Sequence, residues 1–112
     1  MLPREHRLTS GEDFRQAARK GRRAGSRTLV VHLYMGDEAA GPARAGFVVS
    51  KAVGNAVIRN RVKRRLRHLA REHLQTLPRS AVLVVRALPA SGEASYDDLS
   101  ADLAGALAKV TA

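Results

Sequence analysis

The sequence contains no cysteine and no tryptophan, and aromatic residues make up only 4% of its 112 residues. Without thiols the chain cannot form disulfides or use cysteine as a nucleophile or metal ligand, which favours a reducing compartment. It also lacks any apolar run close to the roughly 20 residues that span a bilayer, and residues 1–7 do not resemble a secretory signal. We therefore expect a cytoplasmic protein with no membrane partner.

Acidic residues are absent from a long internal stretch. The 33 residues from Ala39 to Arg71 include nine basic side chains and no acid, and seven of the nine lie from Arg59 onward. Residues 1–71 carry 17 bases and 5 acids, whereas residues 93–112 carry one base and four acids. With a formal net charge of +10, this segregation predicts one strongly positive surface and a polyanionic partner.

Length and hydrophobic periodicity predict one α+β domain over residues 1–112. The 45% share of apolar residues is sufficient for a single core. Ser10 and Asp13 form a Ser-x-x-Asp capping box that begins a helix, and Gly21 ends it. The other predicted elements are strands at 27–35 and 44–51, which we expect to pair as an antiparallel hairpin, a helix at 56–77, a strand at 81–88 and a helix at 96–110. Alternation along the first strand puts Leu29, Val31 and Leu33 on one face and Val30, His32 and Tyr34 on the other. The predicted core face of the last helix contains Leu99, Leu103, Ala106, Leu107 and Val110. The predicted order is α-β-β-α-β-α around one sheet.

The helix at 56–77 separates apolar from basic side chains. Its apolar residues share one arc, and they are Ile58, Val62, Leu66, Leu69 and Leu77. Basic residues occupy most of the remaining circumference, and between residues 59 and 71 arginine outnumbers lysine six to one. The planar guanidinium group suits bidentate phosphate contacts and stacks on bases, so this helix predicts binding to nucleic acid rather than to lipid.

Residues 51–67, KAVGNAVIRNRVKRRLR, resemble the signature of the bacterial ribonuclease P protein family, whose hallmark is Arg-Asn-Arg followed by an apolar residue and a basic pair. The similarity extends to Phe14, to the strand end at 46–51 and to the strand at 82–85. It implies a ribosomal protein S5 domain 2-like fold with about four strands in the order α-β-β-(β)-α-β-α. It also implies a left-handed β-α-β crossover, an exception to the usual right-handed rule.

The resemblance also implies a function. Members of the family assist an RNA-based endoribonuclease that removes the 5′ leader of precursor tRNA. The expected partners are ribonuclease P RNA and the precursor tRNA, with no further protein partner. The RNA carries the catalysis and requires Mg²⁺, so we expect neither a catalytic residue nor a metal ligand in the protein.

Two groups of site residues follow from the resemblance. The expected RNA-subunit contacts are Lys51, Asn55, Arg59, Asn60, Arg61, Lys63, Arg64 and Arg67. The expected cleft for the single-stranded leader contains Phe14, His32, Tyr34, Val48 and Arg86. The chain departs from its relatives at Ala18, His32, Val48 and Ala52, which predicts weaker leader binding or greater reliance on backbone charge.

Alternative structural roles remain open for several of these residues. Phe14, His32 and Tyr34 are expected either to pack in the fold or to contact the leader, and Asn55 either to cap the helix or to bind RNA. Arg86 contacts the leader or pairs with an acid such as Asp97 or Asp98.

His68 and Glu72 are spaced as a metal pair, but the surrounding positive charge favours a solvated pair. The alternative function is a ribosomal or general RNA-binding protein with no role in cleavage. An autonomous nuclease is disfavoured, since the sequence offers no acid–base constellation.

Overall fold

The computed structural model describes residues 2–8, 11–36 and 41–112. Its helices and strands are α1 (Gly11–Lys20), β1 (Arg22–Gly25), β2 (Leu29–Met35), β3 (Arg44–Val48), α2 (Ala56–Leu74), β4 (Ala81–Ala87) and α3 (Tyr96–Thr111). Single 3₁₀ turns lie at Arg4–His6, Lys51–Val53 and Pro89–Gly92. The predicted α+β class with one four-stranded sheet is confirmed. The predicted capping residue Ser10 lies outside the described residues.

The strand order, β1-β2-β4-β3, corrects the predicted hairpin. We expected β2 and β3 to pair with each other, but β4 lies between them, antiparallel to β2 and parallel to β3. The reason is burial, because every β4 residue except Arg86 is buried, and a strand that is apolar on both faces belongs in the middle of a sheet. The hairpin partner of β2 is β1, a short strand that hydrophobic periodicity did not predict.

Four predicted elements are longer than the observed ones. The strand predicted at 27–35 begins at Leu29, and the strand predicted at 81–88 ends at Ala87. The second strand was predicted to reach residue 51 but ends at Val48, and Lys51–Val53 forms a 3₁₀ turn instead. Helix α2 ends at Leu74 rather than at residue 77, because Pro78 disfavours helical backbone just before it. Leu77 therefore lies beyond the helix, although it still packs against the core. Helix α2 links the parallel neighbours β3 and β4, so the β-α-β crossover is present, and its left hand stays a prediction.

Alternation along β2 gives the sheet two faces, as predicted. Leu29, Val31 and Leu33 join the main core with α2 and α3, and we call this side the core face. Val30, His32 and Tyr34 lie on the opposite side, which we call the cleft face, and α1 packs there. The predicted apolar stripe of α3 is also confirmed, and its buried residues are Leu99, Leu103, Ala106, Leu107 and Val110.

Gly46 of β3 is the point at which Phe14 approaches the cleft face most closely. A Cβ atom at Gly46 would lie 2.3 Å from Cζ and 2.6 Å from Cε1 of Phe14. We predict that Gly46→Ala lowers the free energy of unfolding by about 1–3 kcal/mol, because the packed ring must move. Gly105→Ala in α3 is the matched control, since nothing lies within 4 Å of its Cβ. Alanine there should stabilise the helix by about 0.5–1 kcal/mol. Urea unfolding measures both changes, and a destabilisation of the same size in both variants would contradict the packing.

Candidate RNA-binding surface

Helix α2 begins at a side-chain cap. The Oδ1 atom of Asn55 accepts a hydrogen bond from the backbone N–H of Ile58 at 3.0 Å, so the capping alternative for Asn55 is confirmed. A Cβ atom at Gly54, whose φ is 156°, would lie only 2.9 Å from Cγ2 of Ile58, so a side chain does not fit at this position. These two residues set the direction in which α2 leaves the sheet.

The buried side of α2 is apolar, and the outer side is basic. The buried residues are Val62, Leu66, Leu69, Ala70 and Leu74. The expected RNA contacts Lys51, Asn55, Asn60, Arg64 and Arg67 are exposed, whereas Arg59, Arg61 and Lys63 are half-buried. Within residues 2–8, 11–36 and 41–112, no base of α2 forms an ion pair with a carboxylate. The positive charge of this helix is therefore not neutralised by the part of the protein that the structure describes.

Two of the α2 arginines also have structural hydrogen bonds. Arg61 donates from Nη2 to the carbonyl of Gly92 at 2.9 Å, and Arg65 donates from Nη1 to the carbonyl of Ala94 at 3.3 Å. Both bonds attach α2 to the segment that precedes α3. Arg61, predicted from the family resemblance as an RNA contact, thus has a structural role, because it attaches α2 to the 3₁₀ turn Pro89–Gly92.

The acidic side chains of α3 face a different part of the molecule. Asp98 lies 3.8 Å from Arg27, and Asp102 accepts a hydrogen bond from the Thr28 hydroxyl at 2.5 Å. Both partners belong to the turn between β1 and β2. Arg86 is exposed and forms no ion pair among the described residues, so the suggested pairing of Arg86 with Asp97 or Asp98 is not observed.

The expected leader residues share the cleft face. The sheet register places His32 opposite Val84, Tyr34 opposite Val82, and Val48 opposite Arg86. The half-buried side chains of Phe14, Tyr34 and Val48 pack around a small apolar cluster of Leu8, Ala17, Val82 and Val84. Phe14 therefore packs in part on the sheet and is in part accessible, and its contact with the leader stays a prediction.

His32 is much less accessible than its neighbours on this face. The residue is only 6% exposed, and its Nδ1 atom has no hydrogen-bond partner among the described residues. Burial lowers the pKa of His32 from 6.5, and the nearby Arg86 and Arg23 lower the pKa further. Arg23 was not predicted as a site residue. Arg23 is identified only by its position opposite His32 in the sheet. That position depends on strand β1, which hydrophobic periodicity did not predict.

A pocket of about 310 Å³ lies at the edge of β3 and joins the two groups of site residues. Phe14 contributes from α1, Phe47 from β3, and Lys63 and Arg67 from α2. The expected RNA-subunit surface and the expected leader cleft are therefore neighbours on the molecule rather than opposite sides of it.

Two further possibilities are a metal-binding site and a membrane-spanning helix. The described residues contain no group of three or more His, Cys, Asp or Glu side chains placed to hold a metal ion. The ring of His68, considered above with Glu72, has its centroid 6.1 Å from that of Tyr96. None of the described helices is both long enough and apolar enough to cross a membrane.

Comparison with known proteins decides the family, because the model of the ribonuclease P family matches residues 2–111. The chain belongs to the ribonuclease P protein family. The family member from Nocardioides sp. is 64% identical over 113 residues, which cover 100% of this chain and 97% of that protein. The member from Streptomyces avermitilis is 55% identical over 117 residues, covering 98% and 95% of the two chains.

Solved structures of the family support the same fold. The Staphylococcus aureus ribonuclease P protein superposes with a TM-score of 0.80 at 28% identity and covers 94% of this chain and 96% of its own. The Thermotoga maritima protein, at 23% identity and a TM-score of 0.74, shares the fold. As a ribonuclease P protein component, the chain is an accessory subunit of an RNA-based endoribonuclease that processes the 5′ end of tRNA.

The Asn55 cap leads to a stability prediction. Asn55→Ala should lower the free energy of unfolding by about 1 kcal/mol, because the N–H of Ile58 loses its acceptor. Asn55→Asp keeps an acceptor and adds a charge that the helix dipole favours, so it should be neutral or stabilising by about 0.3–1 kcal/mol. Urea unfolding of both variants measures the difference. Equal losses of stability in both would mean that the side chain does not act as a cap.

Proposed function

We propose that the two neighbouring surfaces bind two RNAs. The α2 surface, which comprises Lys51, Asn55, Arg59, Asn60, Arg61, Lys63, Arg64 and Arg67, contacts the ribonuclease P RNA. The cleft face, with Phe14, His32, Tyr34, Val48 and Arg86, holds the 5′ leader of the precursor tRNA. The protein thereby promotes endonucleolytic removal of the leader while the RNA subunit performs the reaction.

The assignment of the α2 surface to the ribonuclease P RNA depends on one observation, the positive charge of α2 that no ion pair compensates. Arg59, Lys63, Arg67 and Arg71 follow one another at intervals of four residues, and such like-charged pairs each destabilise a helix by about 0.2–0.5 kcal/mol. No carboxylate of the described residues relieves this repulsion. A phosphate backbone along the outer side of α2 relieves it, and arginine forms the bidentate contacts that phosphates favour.

Aromatic and cationic side chains on the cleft face support the second assignment, which is binding of the leader. Single-stranded RNA is held by aromatic rings that stack on bases and by cations that follow the backbone. The cleft face has the half-buried rings of Phe14 and Tyr34 together with the exposed guanidinium group of Arg86. Ala18 and Ala52, where the family resemblance implies an aromatic and a basic residue, are both exposed, so alanine at these positions removes contact groups without disturbing the core.

In this proposal Mg²⁺ is bound by the RNA subunit and the substrate rather than by the protein. The cations of α2 repel a divalent metal ion, and the α3 acids Asp98 and Asp102 are engaged by Arg27 and Thr28. Phosphate oxygens of the RNA subunit and the substrate are the hard ligands that Mg²⁺ prefers. The protein contributes affinity for RNA and neutralisation of its charge, and no metal-bound step involves its side chains.

Reconstitution tests the α2 assignment. Mixed with a bacterial ribonuclease P RNA at low Mg²⁺, the chain should restore cleavage at the end of the leader. Arg64→Glu reverses an exposed charge that has no ion-pair partner among the described residues, so it should weaken binding to the RNA subunit about tenfold while thermal stability is unchanged.

The matched control is Arg79→Glu, since Arg79 is also exposed but lies in the segment between α2 and β4. Its effect on affinity should be less than about twofold, because only the long-range field changes. Equal losses in the two variants would contradict a specific role for the α2 surface. Failure of the unmodified chain to stimulate cleavage would instead contradict the proposed function as a whole.

A further inference from the structure

The cleft face contains a buried imidazole group whose hydrogen bonding is incomplete. His32 lies in the middle of β2, and its Nδ1 atom has no partner among the described residues. A buried polar atom that lacks a partner costs about 1–3 kcal/mol, so such an atom in the middle of the sheet requires an explanation. We expect this site to accept a ligand that supplies the missing hydrogen bond to His32.

Two arginines flank this imidazole from the neighbouring strands. Arg23 of β1 is directly opposite His32, and Arg86 of β4 lies two residues beyond Val84, the β4 residue opposite His32. Alternation puts all three side chains on the cleft face. Both arginines are exposed, and both are close enough to His32 to influence its charge. The chemistry of this cluster is that of an anion site.

The other element packed on this face does not neutralise the two arginines. Helix α1 carries the cations Arg15, Arg19 and Lys20, all exposed, and its acids are engaged elsewhere. Glu12 lies 3.0 Å from Arg15, and Asp13 lies 3.0 Å from Arg44. The remaining titratable group of β2 is the phenol of Tyr34.

We propose that Arg23, His32 and Arg86 form a phosphate-binding site for one phosphodiester of the leader. The guanidinium groups of the two arginines bind the phosphate oxygens, and the imidazole of His32 donates a further hydrogen bond to them. This inference rests on the proposed function of the cleft face. It adds Arg23 to the leader site, and it assigns His32 to the backbone of the leader rather than to a base.

Protonation of His32 is coupled to this contact. In the free protein, burial and the two arginines hold the pKa of His32 below 6.5, so the ring is neutral at pH 7. A phosphate placed among the three side chains offsets the positive charge and favours the imidazolium form, so the pKa rises on binding. By linkage, leader affinity increases as the pH falls from the bound-state pKa to the free-state pKa, and it is independent of pH above both.

The test measures the affinity of the holoenzyme for precursor tRNA relative to mature tRNA. Each phosphate of a leader of about eight nucleotides is replaced in turn by an uncharged methylphosphonate. At one position the replacement should weaken binding to the unmodified holoenzyme about five- to tenfold. With Arg23→Ala the same replacement should change affinity by less than about twofold, because the contact has already been removed.

Two further variants complete the design. Arg79→Ala removes one exposed charge at the opposite end of β4 from Arg86, so the effect of the methylphosphonate should remain as in the unmodified protein. His32→Gln keeps a hydrogen-bonding side chain that does not titrate, so the rise in leader affinity on acidification should disappear. Histidines elsewhere in the chain, including His6 and His73, are unchanged in this variant and serve as an internal control.

The possible failures can be told apart. Equal affinities for precursor and mature tRNA would overturn the leader cleft and with it the proposed function. If the leader contributes to affinity but no methylphosphonate position is coupled to Arg23, the phosphate site is wrong while the cleft stands. An unchanged pH dependence in His32→Gln would overturn the role of the imidazole.

Discussion

Strand β4 pairs with β2 in antiparallel fashion and with β3 in parallel fashion, and the rest of the molecule depends on this double pairing. The parallel pairing with β3 requires the chain to cross from one end of the sheet to the other, and α2 makes that crossing. Because β4 is apolar on both sides, each face of the sheet must be covered, by α2 and α3 on the core face and by α1 on the cleft face. The positions of the basic helix and of the cleft are thus consequences of one central strand.

This arrangement also separates the charges of the chain. The acidic residues of α3 meet the β1–β2 turn, where Asp98 approaches Arg27 and Asp102 binds Thr28. Arg61 and Arg65 of α2 donate to the backbone carbonyls of Gly92 and Ala94, and no arginine of α2 forms an ion pair among the described residues. A protein that folded these acids against α2 would be more stable alone and less able to bind RNA. The fold instead leaves its largest positive surface available to a polyanion, next to a cleft suited to a single strand.

Much of this could be predicted from the sequence, because local patterns determine it. Period 3.6 identified α2 and α3 with their buried stripes, alternation identified the faces of β2, and the Arg-Asn-Arg signature identified the family. The strand order could not be predicted, since pairing depends on which strand is buried on both sides. For the same reason β1 was missed, and with it Arg23. The burial of His32 depends on α1 packing across the sheet, which no local pattern reports.

The salt dependence of the affinity for ribonuclease P RNA tests the account most directly. Six cationic side chains of the α2 region form no hydrogen bond within the described protein and are available to phosphates, namely those of Lys51, Arg59, Lys63, Arg64, Arg67 and Arg71. Displacement of counterions by six contacts predicts a slope of about −4 to −5 in a plot of log association constant against log salt concentration. A slope near zero would show that the cations of α2 do not bind the RNA backbone, and the account would then be wrong.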